Sequence, residues 1–336
     1  MNIAILLPYK EDYSPRYAGA VSIHVSNLLK YSKFKNSTVV YGNTNKKVYL
    51  SNNFINIKVN SNILFSNNKK YLEKFVELNK EYNPDIIEIH NRPSYVNIIK
   101  NNLKSKIILY FHNNPLTISG SRSKLDRIKL LEECEFIFFN SVWTQNQFFK
   151  EINPENYKSK FGVCFQSTKK MKINIKKKEN IISFVGKLNS AKGYDIFGEA
   201  IIRILNKYPD WKSVVIGDEP REKLFFNHKN LKNLGFQRHQ TVLNTFNKTS
   251  IAIACSRWEE PFGRTSLEAA SRGCAVIISN RGGLPETITN GIILNNLQPQ
   301  TLFSAIENLI QNKKKLLYLQ NQSVKNFFLT DNFISE

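Results

Sequence analysis

Residues 260–279 read Glu-Pro-Phe-Gly-Arg-Thr-Ser-Leu-Glu-Ala-Ala-Ser-Arg-Gly-Cys-Ala-Val-Ile-Ile-Ser, and this stretch decides the fold. An apolar run at residues 250–255 leads into a loop that contains Pro261 and Gly263, two residue types that favour turns. The pattern predicts a helix from about residue 265 to 272, ended by a glycine. The five residues 275–279 are typical of a buried parallel strand. Strand, loop, helix and strand in this order predict an α/β sheet domain.

The start of this helix is a candidate anion site, because free backbone amides there can face a phosphate with the helix dipole behind them. Glu260 lies in the loop, and Glu268 lies one turn into the helix. Carboxylates near an anion site can accept hydrogen bonds from hydroxyl groups, as on a sugar or a ribose. Two structural alternatives stay open: Thr265 and Glu268 also fit a helix capping box, and Glu260 fits a solvated loop carboxylate.

The stretch as a whole resembles the donor-site signature of family 4 glycosyltransferases. The matching features are Glu-Pro-Phe-Gly, then Leu-Glu-Ala, a small residue and Gly, an apolar strand, and Gly-Gly-Leu-Pro-Glu at residues 282–286. Glu260 and Glu268 form the Glu-x7-Glu spacing of that signature. The resemblance implies a retaining enzyme of the GT-B fold, with two Rossmann-like α/β domains whose parallel sheets face a central cleft.

Other segments extend the resemblance. Gly186-Lys187 and Lys192-Gly193 are similar to the family's phosphate clamp, although Lys187 stands where the family usually has Arg. A lysine keeps the charge but not the two-pronged guanidinium contact. His112 follows the predicted strand 107–111, and Gly19-Ala20 stands where the family usually shows Gly-Gly. Each of these also has a structural alternative: a solvated lysine pair, a structural histidine and a turn glycine.

The resemblance implies roles for individual residues. Lys187 and Lys192 would stabilise the diphosphate charge, and Glu260 would hold the hydroxyls of the sugar. A histidine at the position of His112 lines the donor sugar pocket in the family. The expected catalytic residues are therefore His112, Lys187, Lys192 and Glu260. The expected donor-binding residues are Gly19, Phe236, Phe262, Gly263, Arg264, Thr265 and Glu268.

The chain of 336 residues favours two domains over one. We expect an N-terminal, acceptor-binding domain at residues 1–165 and a C-terminal, nucleotide-sugar-binding domain at residues 180–315. The polar and cationic residues 166–179 are interpreted as the linker. The segment 316–336 is expected to form a C-terminal helix, and two alternatives stay open: a short helix that returns to the first domain, or no crossing helix.

Composition narrows the function classes. The net charge of +21 favours an anionic partner, and a membrane surface is preferred over nucleic acid because no nucleic-acid-binding signature appears. Compositional bias is the alternative explanation. The four cysteines are scattered and the start lacks signal-peptide features, so we expect a cytoplasmic protein. A peripheral position on the inner face of the cytoplasmic membrane is a further hypothesis.

The function predicted from the sequence is retaining transfer of a sugar from a nucleotide-sugar donor, a UDP-sugar by preference. The acceptor is expected to be a glycan or a lipid-linked molecule in bacterial cell-surface polysaccharide or lipopolysaccharide synthesis. No Asp-x-Asp metal motif appears, so no metal and no cofactor are expected. The alternatives are a sugar-nucleotide epimerase of the same fold, a non-catalytic sugar-binding subunit and a nucleic-acid-binding protein.

Overall fold

The structure, a computed structural model, describes residues 1–59 and 66–335. The chain forms two compact units. The first unit contains Met1–Ser167 together with the residues from Asp331 onwards, and the second contains Thr168–Thr330.

Thirteen strands occur in the described residues. Those of the first unit are β1 (Ile3–Leu6), β2 (Thr38–Gly42), β3 (Phe54–Asn56), β4 (Ile86–His90), β5 (Lys106–Phe111), β6 (Phe136–Phe139) and β7 (Phe161–Val163). Those of the second are β8 (Glu179–Val185), β9 (Lys212–Ile216), β10 (Leu231–Asn233), β11 (Thr249–Ala254), β12 (Ala275–Ser279) and β13 (Gly291–Leu294).

Eleven α-helices lie between and after these strands in the described part of the chain. They are α1 (Ala20–Tyr31), α2 (Asn67–Tyr82), α3 (Val96–Asn102), α4 (Lys124–Glu133), α5 (Val142–Phe148), α6 (Tyr194–Lys207), α7 (His239–Lys248), α8 (Arg264–Ser271), α9 (Pro299–Gln311), α10 (Lys313–Asn326) and α11 (Asp331–Ser335).

The first unit is built on a parallel sheet with the strand order β3-β2-β1-β4-β5-β6-β7. The chain runs outward from β1 to β3 and then returns to the other side of β1 as β4. The reversal point of the sheet therefore lies between β1 and β4, which is where open α/β sheets bind ligands. Its helices bury apolar side chains such as Phe75 of α2 and Ile99 of α3 against the sheet.

The second unit repeats this plan with the order β10-β9-β8-β11-β12-β13, again parallel throughout. All five residues of β12 are buried, as expected for a strand covered on both faces. Helix α6 buries Phe197, Ile201 and Ile204 along one helical stripe. The reversal point of the second sheet lies between β8 and β11. The predicted fold class, two Rossmann-like α/β domains with parallel sheets, is confirmed.

The domain boundaries differ in detail from the predicted ones. From Thr168 on, the segment predicted as a linker belongs to the second unit. There Lys169 O accepts a hydrogen bond of 2.8 Å from Arg272 Nη1, and the side chains of Ile173 and Ile175 pack over Gly273. The polar composition of the segment concealed the apolar contacts of Ile173 and Ile175 with Gly273.

The predicted C-terminal segment 316–336 is also divided differently. Helix α10 belongs to the second unit, whereas the short helix α11 belongs to the first. Asp331 Oδ1 there accepts hydrogen bonds from Asn27 Nδ2 at 3.1 Å and from Ser167 Oγ at 2.8 Å. Glu336 lies outside the described residues.

We find that none of the helices in residues 1–59 and 66–335 combines the length and apolar character needed to cross a membrane.

Candidate active site

Two loops meet at the reversal point of the second sheet. One follows β8 and ends at Gly193, and the other follows β11 and ends at Gly263. Gly193 has φ 72°, and a Cβ on it would lie 1.9 Å from Cys255 O. The backbone amides of Arg257 and Trp258 both donate to Ala191 O, at 2.9 and 3.1 Å. Glycine is required here because the two loops touch through their backbones.

This contact brings two predicted catalytic residues together. Lys192 and Glu260 form an ion pair and a short hydrogen bond. The ammonium group of Lys192 also lies 5.2 Å from the ring centroid of Trp258, within the range of a cation–π contact. The side chains are 26% and 12% exposed, so solvent reaches the ammonium group more than the carboxylate. Each charge is therefore held in place before any ligand binds.

Helix α8 begins directly after the second loop. Its N-cap is Gly263, with φ 116° and no side-chain cap. Thr265 is thus the second helical residue, and the capping box that Thr265 and Glu268 could have formed is absent. The start of the helix keeps its dipole without a capping side chain, which is the arrangement that anions favour.

The carboxylate of Glu268 turns inward instead. Its Oε1 lies 2.7 Å from Arg264 Nε and 2.7 Å from His239 Nε2. Burial by itself would raise the pKa of Glu268, but the Arg264 charge and the His239 hydrogen bond outweigh it and lower the pKa. Glu268 is therefore an ionised carboxylate, 3% exposed, at the start of α8.

Arg264 has unused hydrogen-bonding capacity. Its side chain is 11% exposed, and neither Nη1 nor Nη2 has a hydrogen-bond acceptor among the described residues. A buried donor without an acceptor costs free energy, and a guanidinium group offers a fork that fits two oxygens of a phosphate or carboxylate. The local chemistry is that of an oxyanion site beside a carboxylate.

The remaining predicted residues of this unit lie in different surroundings. Lys187 is exposed and lies near Glu219, whose pKa falls to about 2 chiefly because of the hydrogen bond from Arg221, with Lys187 adding a smaller effect. Phe236 is 53% exposed, whereas Phe262 is 1% exposed and belongs to the buried core. A direct ligand contact through the Phe262 ring is excluded by this burial, so only its backbone remains available.

The first unit holds the other two predicted residues. At Gly19, a Cβ would lie 2.6 Å from Glu11 Oε1, and Ser22 N donates to that oxygen at 2.9 Å. The carboxylate of Glu11 thus occupies the start of α1, beside Gly19, which the resemblance marks as a donor-binding residue. Burial raises the pKa of Glu11.

His112 is part of a buried chain of side chains. Its Nε2 lies 2.8 Å from His90 Nδ1, and His90 Nε2 lies 2.7 Å from Glu88 Oε1. With the His90 proton on Nε2, towards the Glu88 carboxylate, which only accepts, His112 donates from Nε2 and its Nδ1 is an acceptor. His112 Nδ1 has no hydrogen-bond partner among the described residues. The pKa of His112 is held well below its usual value. Burial is the main cause, and the electrostatic effects of His90 and His24 add to it.

Sequence reasoning missed His239, His90, Glu88 and Glu11 as members of these sites. His239 begins a helix after the loop at Gly235, so its position was a usable signal. The contact between His90 and His112 joins residues 22 positions apart, and no local pattern indicates it. In the described part of the chain, no group of three or more His, Cys, Asp or Glu side chains is arranged to hold a metal ion.

The second unit matches a known protein family. Residues 165–325 match the family of glycosyl transferases group 1. This part of the chain is a group 1 glycosyltransferase domain.

The chain has relatives that match over different shares of their length. It is 24% identical over 290 residues to a putative glycosyltransferase, YtcC, of Bacillus subtilis, which is 76% of this chain and 70% of that protein. It is 27% identical over 124 residues to the lipopolysaccharide core biosynthesis mannosyltransferase LpsB of Rhizobium meliloti, 34% of this chain and 35% of that one.

Among solved structures, HepE of Anabaena in complex with UDP-glucose matches with a TM-score of 0.76. The match covers 100% of this chain and 97% of that one at 15% identity. At this identity the likeness establishes the fold, which is that of the GT-B glycosyltransferases.

Proposed function

We propose that this protein is a retaining family 4 glycosyltransferase that moves a sugar from a UDP-sugar to a glycan or lipid-linked acceptor in cell-surface polysaccharide or lipopolysaccharide synthesis. The observation that carries the proposal is the start of α8. There a buried guanidinium, Arg264, has hydrogen-bond donors without acceptors beside the ionised carboxylate of Glu268. A nucleoside diphosphate supplies both complements, because its phosphates are acceptors and its ribose hydroxyls are donors.

The donor roles follow from this geometry. Amides at the start of α8, at Gly263, Arg264 and Thr265, together with the Arg264 guanidinium, would bind the diphosphate. Glu268 would accept hydrogen bonds from the ribose. Backbone groups at Phe236 and Phe262 would hold the nucleotide.

The transfer step requires stabilisation of the negative charge that develops on the departing diphosphate. Lys192 is the stronger candidate for this, since it is half-buried at the reversal point, and Lys187 would contribute from a more exposed position. Glu260, released from Lys192 when the phosphate arrives, would hold sugar hydroxyls. We assign direct front-face transfer, with the departing phosphate taking the proton of the acceptor hydroxyl; no metal and no cofactor are assigned.

In the first unit, the acceptor atom His112 Nδ1 would bind a sugar hydroxyl. We no longer assign Gly19 to phosphate binding, because Glu11 covers it. Instead, Gly19 would permit the close packing of Glu11 at the start of α1. The net charge of +21 supports a cytoplasmic protein that associates with an anionic membrane surface.

The test is incubation of the protein with UDP-, GDP- and ADP-sugars, with and without candidate glycan acceptors. We expect release of UDP that depends on the acceptor, and a product whose anomeric configuration by ¹H NMR equals that of the donor. An inverted product would remove the retaining mechanism. An epimerised nucleotide-sugar without release would favour an epimerase, and binding without any turnover would favour a sugar-binding subunit.

A further inference from the structure

The carboxyl edge of the first sheet carries an open cavity that none of the roles above uses. Its volume is about 760 Å³. It is lined by residues that follow three neighbouring parallel strands: Tyr9 and Lys10 after β1, Asn43–Lys47 after β2, and Asn56 and Lys58 at the end of β3. We call it the lysine pocket. It lies outside the carboxyl ends of the strands, the edge at which open parallel sheets bind ligands, but on the β2–β3 side of β1 and away from the reversal point between β1 and β4.

The charge of the lysine pocket is strongly positive. Four of its lining residues are lysines and one is an acid: Lys10, Lys46, Lys47, Lys58 and Asp12. None of the four lysines is in an ion pair with a described residue.

The one acid forms no ion pair with any of these lysines. Asp12 accepts a hydrogen bond of 2.9 Å from Thr44 Oγ1 and a short one from Ser14 Oγ, so its carboxylate is engaged within the wall. Three of the lysines are exposed, and the Lys46 ammonium lies 4.4 Å from the Tyr17 ring centroid. The pocket therefore carries more cationic groups than its single carboxylate can balance.

Amides and aromatic rings hold the walls in fixed positions. Asn56 accepts from Thr44 N at 3.0 Å and donates to Thr44 O at 2.8 Å, which joins the ends of β2 and β3. Asn43 Nδ2 donates to Tyr9 O at 3.2 Å, which joins the ends of β1 and β2. The Tyr49 ring packs on Phe54 with centroids 4.6 Å apart.

A concave site with aromatic walls and a few oriented polar groups is typical of small-molecule and saccharide binding. We propose that the lysine pocket binds an acidic glycan, so that the acceptor of the reaction carries phosphate or carboxylate groups. The identification of this glycan as the acceptor rests on the proposed transferase function. The binding of an acidic glycan in the lysine pocket does not depend on that function. A membrane surface fits less well, because the lysines line a concavity shared with tyrosine and asparagine side chains.

The test uses calorimetry with defined probes at low and high salt. The probes are trigalacturonic acid, a mannotriose 6-phosphate, an uncharged mannotriose and vesicles rich in the anionic lipid phosphatidylglycerol. We expect the two acidic saccharides to bind roughly 10-fold or more tightly than the neutral one, and this difference to shrink at high salt. The stronger of the two acidic probes identifies the anionic group.

Matched variants locate the binding. The test variant carries Lys10→Gln, Lys47→Gln and Lys58→Gln. The control variant carries Lys35→Gln, Lys80→Gln and Lys104→Gln, three exposed lysines that precede the amino ends of β2, β4 and β5 in the same unit. We expect the test variant to lose roughly 10-fold in affinity for the acidic saccharide and the control about 2-fold at most.

Three results would overturn the proposal: an equal loss of affinity in both variants, an equal affinity for neutral and acidic saccharides, or vesicle binding that only the test variant loses. UDP affinity, measured in the same preparations, separates the two hypotheses. Acidic-saccharide binding in a protein that binds no nucleotide would leave the lysine pocket standing and reject the transferase function. The reverse result would reject only the pocket.

Discussion

His239 Nε2 and Arg264 Nε both lie 2.7 Å from the same oxygen of Glu268, Oε1. A buried carboxylate held by two nitrogen groups cannot rotate freely, so its second oxygen keeps one direction. Two helices meet in this contact: α7 through its first residue, and α8 through its first and fifth residues. The nucleotide-binding carboxylate of the proposed site is thus oriented by a histidine that lies outside the Glu-x7-Glu stretch.

The first prediction concerns this carboxylate. Glu268→Gln turns one acceptor into a donor and should weaken UDP binding by about 1.5–3 kcal/mol, roughly 10- to 150-fold in Kd. Because Arg264 loses its counter-charge in a buried place, the variant should also unfold at lower urea concentration. Calorimetry and urea unfolding measure the two effects.

His239→Gln keeps a hydrogen-bond donor and is the matched control. It should retain most of the stability and lose UDP affinity by less than Glu268→Gln. Wild-type UDP affinity in Glu268→Gln would remove the ribose assignment, whatever the change in stability.

The second prediction concerns the phosphate charge. Lys192→Ala should lower transfer by roughly 10²-fold or more, the scale seen when one preorganised charge-stabilising group is lost. Lys187→Ala should cost less, because Lys187 is exposed and its field is screened. Lys223→Ala, another exposed lysine of the same unit, is the control and should be silent. The measurement is kcat under saturating donor, and equal effects of Lys187→Ala and Lys192→Ala would contradict the assignment.

The sequence predicted the fold because its decisive stretch is local. The strand at residues 275–279 and the loop with Pro261 and Gly263 needed only neighbouring residues, and the helix was displaced by a single position. The segment predicted as the linker differs from the observed unit boundary for the opposite reason. Lysine-rich composition is visible in the sequence, whereas the packing of Ile173 on Gly273 joins positions a hundred residues apart.

The candidate site was predicted in part for similar reasons. Lys192 and Glu260 were both identified, but their ion pair depends on two backbones touching at Gly193 and Cys255. The spacing of Thr265 and Glu268 fits both a capping box and a ligand carboxylate, so the sequence left both interpretations open. The structure excludes the capping box, because Gly263 is the N-cap and Glu268 contacts His239 and Arg264. The ribose role of Glu268 is a proposal.

The third prediction tests the backbone contact. Gly193→Ala places a Cβ 1.9 Å from Cys255 O at φ 72° and should destabilise the second unit severely. Gly235→Ala has nearly the same backbone strain, with φ 62°, but no atom within 4 Å of the added Cβ. It should cost only the strain, about 1–2 kcal/mol. Urea unfolding compares the two variants, and equal losses would show that the close approach of the loops is unimportant.

The fourth prediction concerns the membrane. The first turn of α10 carries three lysines, and Leu317 and Tyr318 are 50% and 59% exposed on the next turn. If this surface contacts lipid, binding to vesicles should rise with anionic lipid and fall with salt. Lys313→Gln with Lys314→Gln should weaken it by about 1 kcal/mol per charge, whereas the variant of Lys35, Lys80 and Lys104 should bind as the wild type. Equal binding to neutral vesicles would leave compositional bias as the explanation of the charge.

The last prediction uses the lowered pKa of His112. The unfolded chain binds a proton at this histidine below about pH 6.5, but the folded first unit does not until a much lower pH, because the ring is buried beside His90 and His24. Stability of the first unit is therefore full above pH 6.5 and falls as the pH decreases below that value, by up to about 1.4 kcal/mol per pH unit for this group.

His112→Gln removes the group and should flatten this dependence. The other groups that face the ring, His24, His90 and Tyr110, are unchanged in this variant. The unfolding of the first unit can be followed by Trp143 fluorescence in a background with Trp211→Phe and Trp258→Phe, since those two tryptophans lie in the second unit. Urea unfolding at pH 7.5 and about pH 5.5 gives the slope, and His228→Gln in the second unit is the control. A variant at His112 with the wild-type slope would mean that the ring is protonated in the folded protein, and His112 Nδ1 would then be a donor and not an acceptor for a sugar hydroxyl.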